Sequence, residues 1–146
     1  MRRLSFFVPG IAQPSGSKRI GRHGDRPIVL DANPKASEWK QRVALAAAEA
    51  KRVSGDVQPW EGPLQLIIVV RKTRPRFHFN AKGEVRATAP PHPATKPDLT
   101  KLIRGCEDAM KGIVWIDDAQ IVYQQALKRW VNGDEPGVSI AVCDQD

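Results

Sequence analysis

The chain reads as a single α+β domain, spanning residues 1–146, in which a mixed sheet of about five strands carries two main helices. Three observations predict this. Apolar residues recur at helical spacing near 39–50 and again near 99–113. The run Leu64 to Val70, LQLIIVV, has the length of a strand rather than of a helix. The remaining apolar text falls into short alternating runs separated by Gly, Pro, Asn and Asp, as strands and their turns do.

Taken in order, Leu4, Phe6 and Val8 alternate and predict a half-buried first strand ending at Pro9. Residues 10–26, GIAQPSGSKRIGRHGDR, are rich in Gly, Ser, Lys and Arg and read as a mobile basic loop. PIVLD at 27–31 is a short second strand. Asn33-Pro34 is a helix-start signature, because Asn accepts orphan amide bonds and Pro fits the first helical position. Trp39, Val43, Ala46, Ala47 and Ala50 carry that helix to about Lys51, and a turn rich in Gly, Asp and Pro follows over 53–62. The nearly continuous apolar text of 64–70 predicts a central strand covered on both faces. Residues 73–97 hold five of the twelve prolines and form a long loop with a small hairpin around Asn80 to Glu84. Leu99, Leu102, Ile103, Cys106, Ala109, Met110 and Ile113 predict the second helix, with Gly112 near its stop. Residues 119–131 read as a strand, NGDEPG as a hairpin turn, and Val138, Ile140 and Val142 as the returning strand.

The formal charge of +7 and the high pI favour a polyanionic partner, nucleic acid before an acidic membrane surface. No apolar run is long enough to span a bilayer, and the short run after Arg2 and Arg3 stops at Pro9-Gly10 without a small-residue cleavage site. Cys106 and Cys143 have no metal-binding spacing, which suits two free thiols in a reducing cytoplasm. His23, His78 and His92 fall in loops without ligand spacing and are assigned no catalytic role. Trp39, Trp115 and Trp130 suit core or interface positions, and Trp60 is left unassigned.

Charge is unevenly spread. Residues 71–104 contain nine Lys or Arg against Glu84 and Asp98, whereas 105–118 contain four carboxylates against Lys111. Adjacent carboxylates repel, which raises one pKa or calls for a cation, and Mg²⁺ resolves that with one or two carboxylates, its own waters and a substrate phosphate. Each acid also has a plain structural reading: Asp98 as the cap of the second helix, Asp117 and Asp118 as turn residues before a strand.

The stretch KPDLTKLIRGCEDAMKGIVWIDDAQIV, residues 96–122, resembles the core motif of the RusA-like Holliday junction resolvases. In that motif an Asp-x-Asp-Asn-x-x-Lys-like segment opens a helix and Asp-Asp-Ala-Gln begins the next strand. The likeness extends more weakly to the first strand, the basic glycine loop and DANPKASEWKQRV. It implies that Asp98, Asp117 and Asp118 hold Mg²⁺, that Arg104 stands where the family has a catalytic lysine, and that Lys101 or Arg104 stabilises charge developing on the phosphate. It further implies a homodimer that nicks branched DNA at a four-way junction, with no small-molecule cofactor. Thr100 occupies the place of the motif's second aspartate. Glu107, seven residues on, lies about 10 Å further along nearly the same helix face and is the candidate substitute.

Lys18, Arg19, Arg22, Arg74, Arg76, Arg86 and Lys96, clustered in two loops, are the expected DNA contacts. Two rival readings stand beside the nuclease. One is a non-catalytic binder of branched DNA whose metal site weakened when Thr100 replaced an aspartate. The other, an RNA-binding or RNA-cleaving domain, calls for aromatic residues on an open sheet face, and the chain has only nine aromatics.

Overall fold

The computed structural model describes residues 1–16, 18–31 and 33–146; Ser17 in the basic loop and Ala32 in the DANPK stretch lie outside the described residues. Strands β1 (Arg3–Pro9), β4 (Leu64–Lys72), β5 (Ile121–Trp130) and β6 (Gly137–Asp144) form one mixed sheet in the order β1-β6-β4-β5. Strands β2 (Lys18–His23) and β3 (Arg26–Asp31) form a separate antiparallel hairpin. Helices α1 (Ala36–Ser54) and α2 (Leu99–Met110) complete an α+β fold.

Alternate residues of the sheet make the core. Leu64, Leu66, Ile68 and Val70 of β4, Val138, Ile140 and Val142 of β6, and Leu4 and Val8 of β1 cluster with Trp39, Val43 and Ala47 of α1 and with Leu102, Cys106 and Met110 of α2. Each Leu, Ile, Val or Met side chain among them, taken fully out of water, contributes roughly 1.5–3 kcal/mol relative to exposure. α1 lies against α2 and β1, and α2 reaches β5, so α2 is the crossover that joins the parallel pair β4 and β5.

The second face of β4 departs from the expected double cover. Gln65, Ile67, Val69 and Arg71 are only half-buried, since burial alternates along the strand. β4 is interior all the same, between β6 and β5.

Residues 131–136 are not the turn of a β5–β6 hairpin. β6 pairs with β1 and β4, so the chain passes over the end of β4 to reach its place. Burial explains the order: β6 is buried at most positions, whereas β5 is exposed over Val122–Gln125 and takes the edge. The passage is held by Asp134, which accepts from Arg71 of β4 at 2.9 Å and from Arg129 of β5 at 2.5 Å, and by the Val131 amide on the Lys72 carbonyl at 2.8 Å. Gly137 enters β6 with φ 151°, where a Cβ would run into the Val8 carbonyl and the Phe7 ring.

Two further differences are local. Residues 18–23, expected as loop and containing His23, are the first strand of the hairpin; its register pairs Ile20 with Val29, both exposed. α1 starts at Ala36, later than Asn33-Pro34 suggests, because Asn33 uses its carboxamide oxygen on the Lys35 amide and its carbonyl on the Ala36 amide, closing a turn ahead of the helix.

Candidate active site

α2 is amphipathic. Leu102, Ile103, Cys106, Ala109 and Met110 are buried, while Thr100, Arg104, Glu107 and Asp108 follow one another at intervals of four, three and one on its outer side. That outer side forms one wall of a cleft of about 350 Å³, which Asp118 and Gln124 complete from the start of β5.

Glu107 is half-buried there and accepts a 2.6 Å hydrogen bond from the Gln124 amide. Burial pushes its carboxyl above the usual range; the Gln124 bond pulls it back, the charges of Asp118 and Asp108 add to the rise, and Arg104 opposes them. Glu107 and Asp118 thus sense each other's charge across the cleft. Asp118 is oriented by Trp115, whose indole N–H donates to its carboxylate at 2.8 Å from a fully buried ring.

Asp117 is turned to a different task. Its carboxylate accepts from the Ala119 amide at 3.0 Å, capping the single 3₁₀ turn Asp118–Gln120. Gln120 closes the turn from the other side: its side-chain oxygen accepts from the Ile116 and Asp117 amides, both at 2.9 Å. The amide of Gln120 donates to the carbonyls of Trp60 at 2.8 Å and Gly62 at 2.9 Å, tying WIDDAQ to the turn before β4. The Ala-Gln that follows the two aspartates is therefore a locking element for Asp118.

Asp98 occupies the N-cap of α2 without a side-chain capping bond, contrary to its plain structural reading; its carbonyl takes the Lys101 and Leu102 amides. Its carboxylate lies 3.9 Å from the Lys101 ammonium, and both residues line a second, larger cleft rather than that of Asp118. Among the described residues no three His, Cys, Asp or Glu side chains gather closely enough to hold a metal ion. Asp118 and Glu107, two hard oxygen donors in one cleft, nevertheless meet the modest requirement of Mg²⁺ for one or two carboxylates.

Arg104 is laid down by the 13–16 segment: Gly16, at φ 105°, leaves room where a Cβ would meet its guanidinium, and the Ser15 amide bonds to the Lys101 carbonyl at 3.0 Å. Asp108 is engaged by Lys40 at 3.4 Å and by the Ser15 hydroxyl at 3.5 Å. Sequence reading missed Lys128 and Lys72. The Lys128 ammonium donates to the carbonyls of Thr95 at 2.8 Å and Pro97 at 2.9 Å, and Lys72 to that of Lys96 at 3.1 Å, so two strands clamp the segment that leads into Asp98.

Of the expected DNA contacts, Lys18, Arg19 and Arg22 are exposed on β2, and Arg76, Arg86 and Lys96 are exposed in the long loop. Arg74 instead braces that loop, donating to the Pro90 carbonyl at 2.9 Å and stacking over Trp130 beside the buried His78. Trp39, Trp60 and Trp115 are core residues, and Cys106 and Cys143 are free and buried. No helix among the described residues is long and apolar enough to cross a membrane.

Comparison with known proteins places this geometry in context. The sequence model of the family described as Endodeoxyribonuclease RusA matches residues 9–143. The uncharacterized protein YqaN of Bacillus subtilis (strain 168) is 27% identical over 145 residues, which cover 95% of this chain and 94% of that protein.

Proposed function

The chain belongs to the RusA endodeoxyribonuclease family, and on that premise we propose that it is a Mg²⁺-dependent nuclease that resolves four-way DNA junctions by paired nicks, as a homodimer. The observation that carries the proposal is the facing of Asp118 and Glu107 across the cleft at Thr100. Glu107 thereby supplies a carboxylate on the helix that lacks the motif's second aspartate.

Asp118 and Glu107 would hold the ion, and Asp98 lines the neighbouring cleft at the head of α2. When bound, the ion supplies an acidified water, polarises the scissile phosphate and steadies the leaving oxygen. Trp115 and Gln124 fix the two carboxylates by hydrogen bonds, so little reorganisation is needed on loading. Asp117 and Gln120 act as positioning residues through the turn they lock. Arg104 and Lys101 offset negative charge building on the phosphate; Arg104 does so as a fixed planar donor rather than a titratable amine. Lys18, Arg19 and Arg22 on the hairpin, with Arg76 and Lys96, track the DNA backbone.

One observation favours the non-catalytic rival: Asp98 lines a cleft other than that of Asp118 and Glu107. The two readings separate on a labelled four-way junction. The nuclease binds it in chelator and nicks it when Mg²⁺ is added, and Glu107→Gln loses the nicks while keeping the gel shift. A protein that shifts the junction under all metals and never nicks it is the binder.

A further inference from the structure

A cleft of about 580 Å³, larger than that of Asp118 and Glu107, lies beside α2 and is lined by neither of those two acids. Its size is within the ~300–1,000 Å³ range of clefts that bury a small organic ligand. The lining divides by chemistry. Ile11, Ala12, Pro97, Leu102 and Pro136 offer aliphatic surface, and Ile11 is 75% exposed, an apolar side chain left without cover.

Lys72, Lys96 and Lys101 bring three ammonium groups, against Asp98 as the sole carboxylate of the lining. Arg71 also borders the cleft, but its guanidinium is held by Asp134 at 2.9 Å, a carboxylate it shares with Arg129. An aliphatic pocket with surplus ammonium charge suits a ligand that joins a flat apolar body to an anion.

We propose that this cleft receives one unstacked nucleotide of a DNA strand, its base against Ile11, Ala12 and Pro97 and its phosphate beside Lys96 and Lys101. The inference rests on the nuclease reading for its choice of DNA, and on the cleft itself for the unpaired state. A base inside a duplex has both faces covered by its neighbours and cannot present them to aliphatic side chains; an extruded base can. A duplex phosphate alone would engage the lysines and leave the aliphatic surface unused. Because Asp98 lines the same cleft, a nucleotide seated there fixes the register of the strand relative to α2.

The test uses the full chain in chelator at low salt, with a single-stranded trithymidylate as probe, followed through backbone amide shifts. The expected result is saturable shifts at Ile11, Ala12, Thr73 and Lys101. Thr73→Trp, which fills the cleft from an exposed position, should weaken binding at least about tenfold, and Ile11→Ala, at a side chain 75% exposed, about threefold. Shifts confined to Arg19 and Arg22 on the hairpin, binding indifferent to both variants, or equal affinity for thymidine monophosphate would overturn it, the last by making the cleft a mononucleotide site. Junction nicking with Mg²⁺ is scored separately. A cleft that takes trithymidylate in a protein that never nicks leaves this inference standing and removes the nuclease, and a nicking protein whose cleft ignores the probe does the reverse.

Discussion

Glu107 and Gln124 meet at 2.6 Å, joining the middle of α2 to the exposed edge strand β5 across the cleft that Asp118 completes. The bond holds a carboxyl that burial and neighbouring acids drive above its usual range, in the place where two carboxylates and a cation would share one site. Glu107→Gln removes the charge and keeps the shape. Junction nicking should fall by about two orders of magnitude, the scale of one lost electrostatic stabiliser, while junction binding in chelator holds or rises. Rates measured over a Mg²⁺ series check this; an unchanged rate removes Glu107 from the site.

Trp115→Phe keeps most of the buried ring but deletes the N–H that orients Asp118. Nicking should drop about tenfold with a modest stability loss, since one ligand-orienting hydrogen bond is typically worth that much. Titration of activity against Mg²⁺ should show a raised metal requirement.

Lys128→Met frees the carbonyls of Thr95 and Pro97 at a position that is only half-buried. The 95–98 segment then loses its clamp from β5. Hydrogen exchange should quicken at the Lys96 and Asp98 amides, and nicking should fall several-fold while the thermal midpoint moves by only a few degrees.

Hydrogen bonds from Arg129, from the Asn132 amide and from Arg71 hold the Asp134 carboxyl well below the usual carboxylate range. A depressed folded pKa means that this stabilisation is fully present above the unfolded value, about 3.9, and is lost as pH falls through the folded value. Asp134→Asn should therefore lower the denaturation midpoint at pH 7 and make little difference near pH 1. Chemical denaturation across that range measures it, and a penalty that persists undiminished in strong acid would assign the effect to shape rather than charge.

Lys51 is buried at 1% exposure, 3.6 Å from Asp56 and 4.5 Å from the Trp60 ring centre, and its ammonium makes no hydrogen bond among the described residues. Burial pushes that ammonium below its usual pKa. Because the Asp56 carboxylate is exposed, removing the ammonium relieves its desolvation without leaving a buried charge unpaired. Lys51→Met should match or exceed the parent midpoint, and a clear loss would show that the Asp56 pair outweighs the desolvation of Lys51.

Periodicity exposed both helices and strands β1, β4 and β6, because each presents a face to the core and writes that face into its spacing, whereas β3 shows only as a short apolar run and adds no described residue to the core. β2 left no such trace: KRIGRH has no buried residue, and its one large apolar side chain, Ile20, points to solvent. Strand order was equally hidden, since the choice of β6 over β5 as the inner neighbour of β4 depends on what each strand buries after folding. The acids of the cleft were legible as residues, and the seven-residue spacing from Thr100 singled out Glu107. Gln124, the partner of Glu107, and the clamp by Lys72 and Lys128 are contacts across chain segments that no local pattern encodes, whereas Trp115 lies three residues from Asp118 and reads in the sequence only as a core or interface residue.

The most direct measurement is cleavage of an end-labelled synthetic four-way junction beside a linear duplex of equal length, by the parent chain and Asp118→Asn, in Mg²⁺ and in chelator. The account predicts paired nicks across the junction that require both Mg²⁺ and Asp118, with the linear duplex left whole. Tight junction binding without a nick under any divalent metal, or nicking that survives Asp118→Asn, would contradict it.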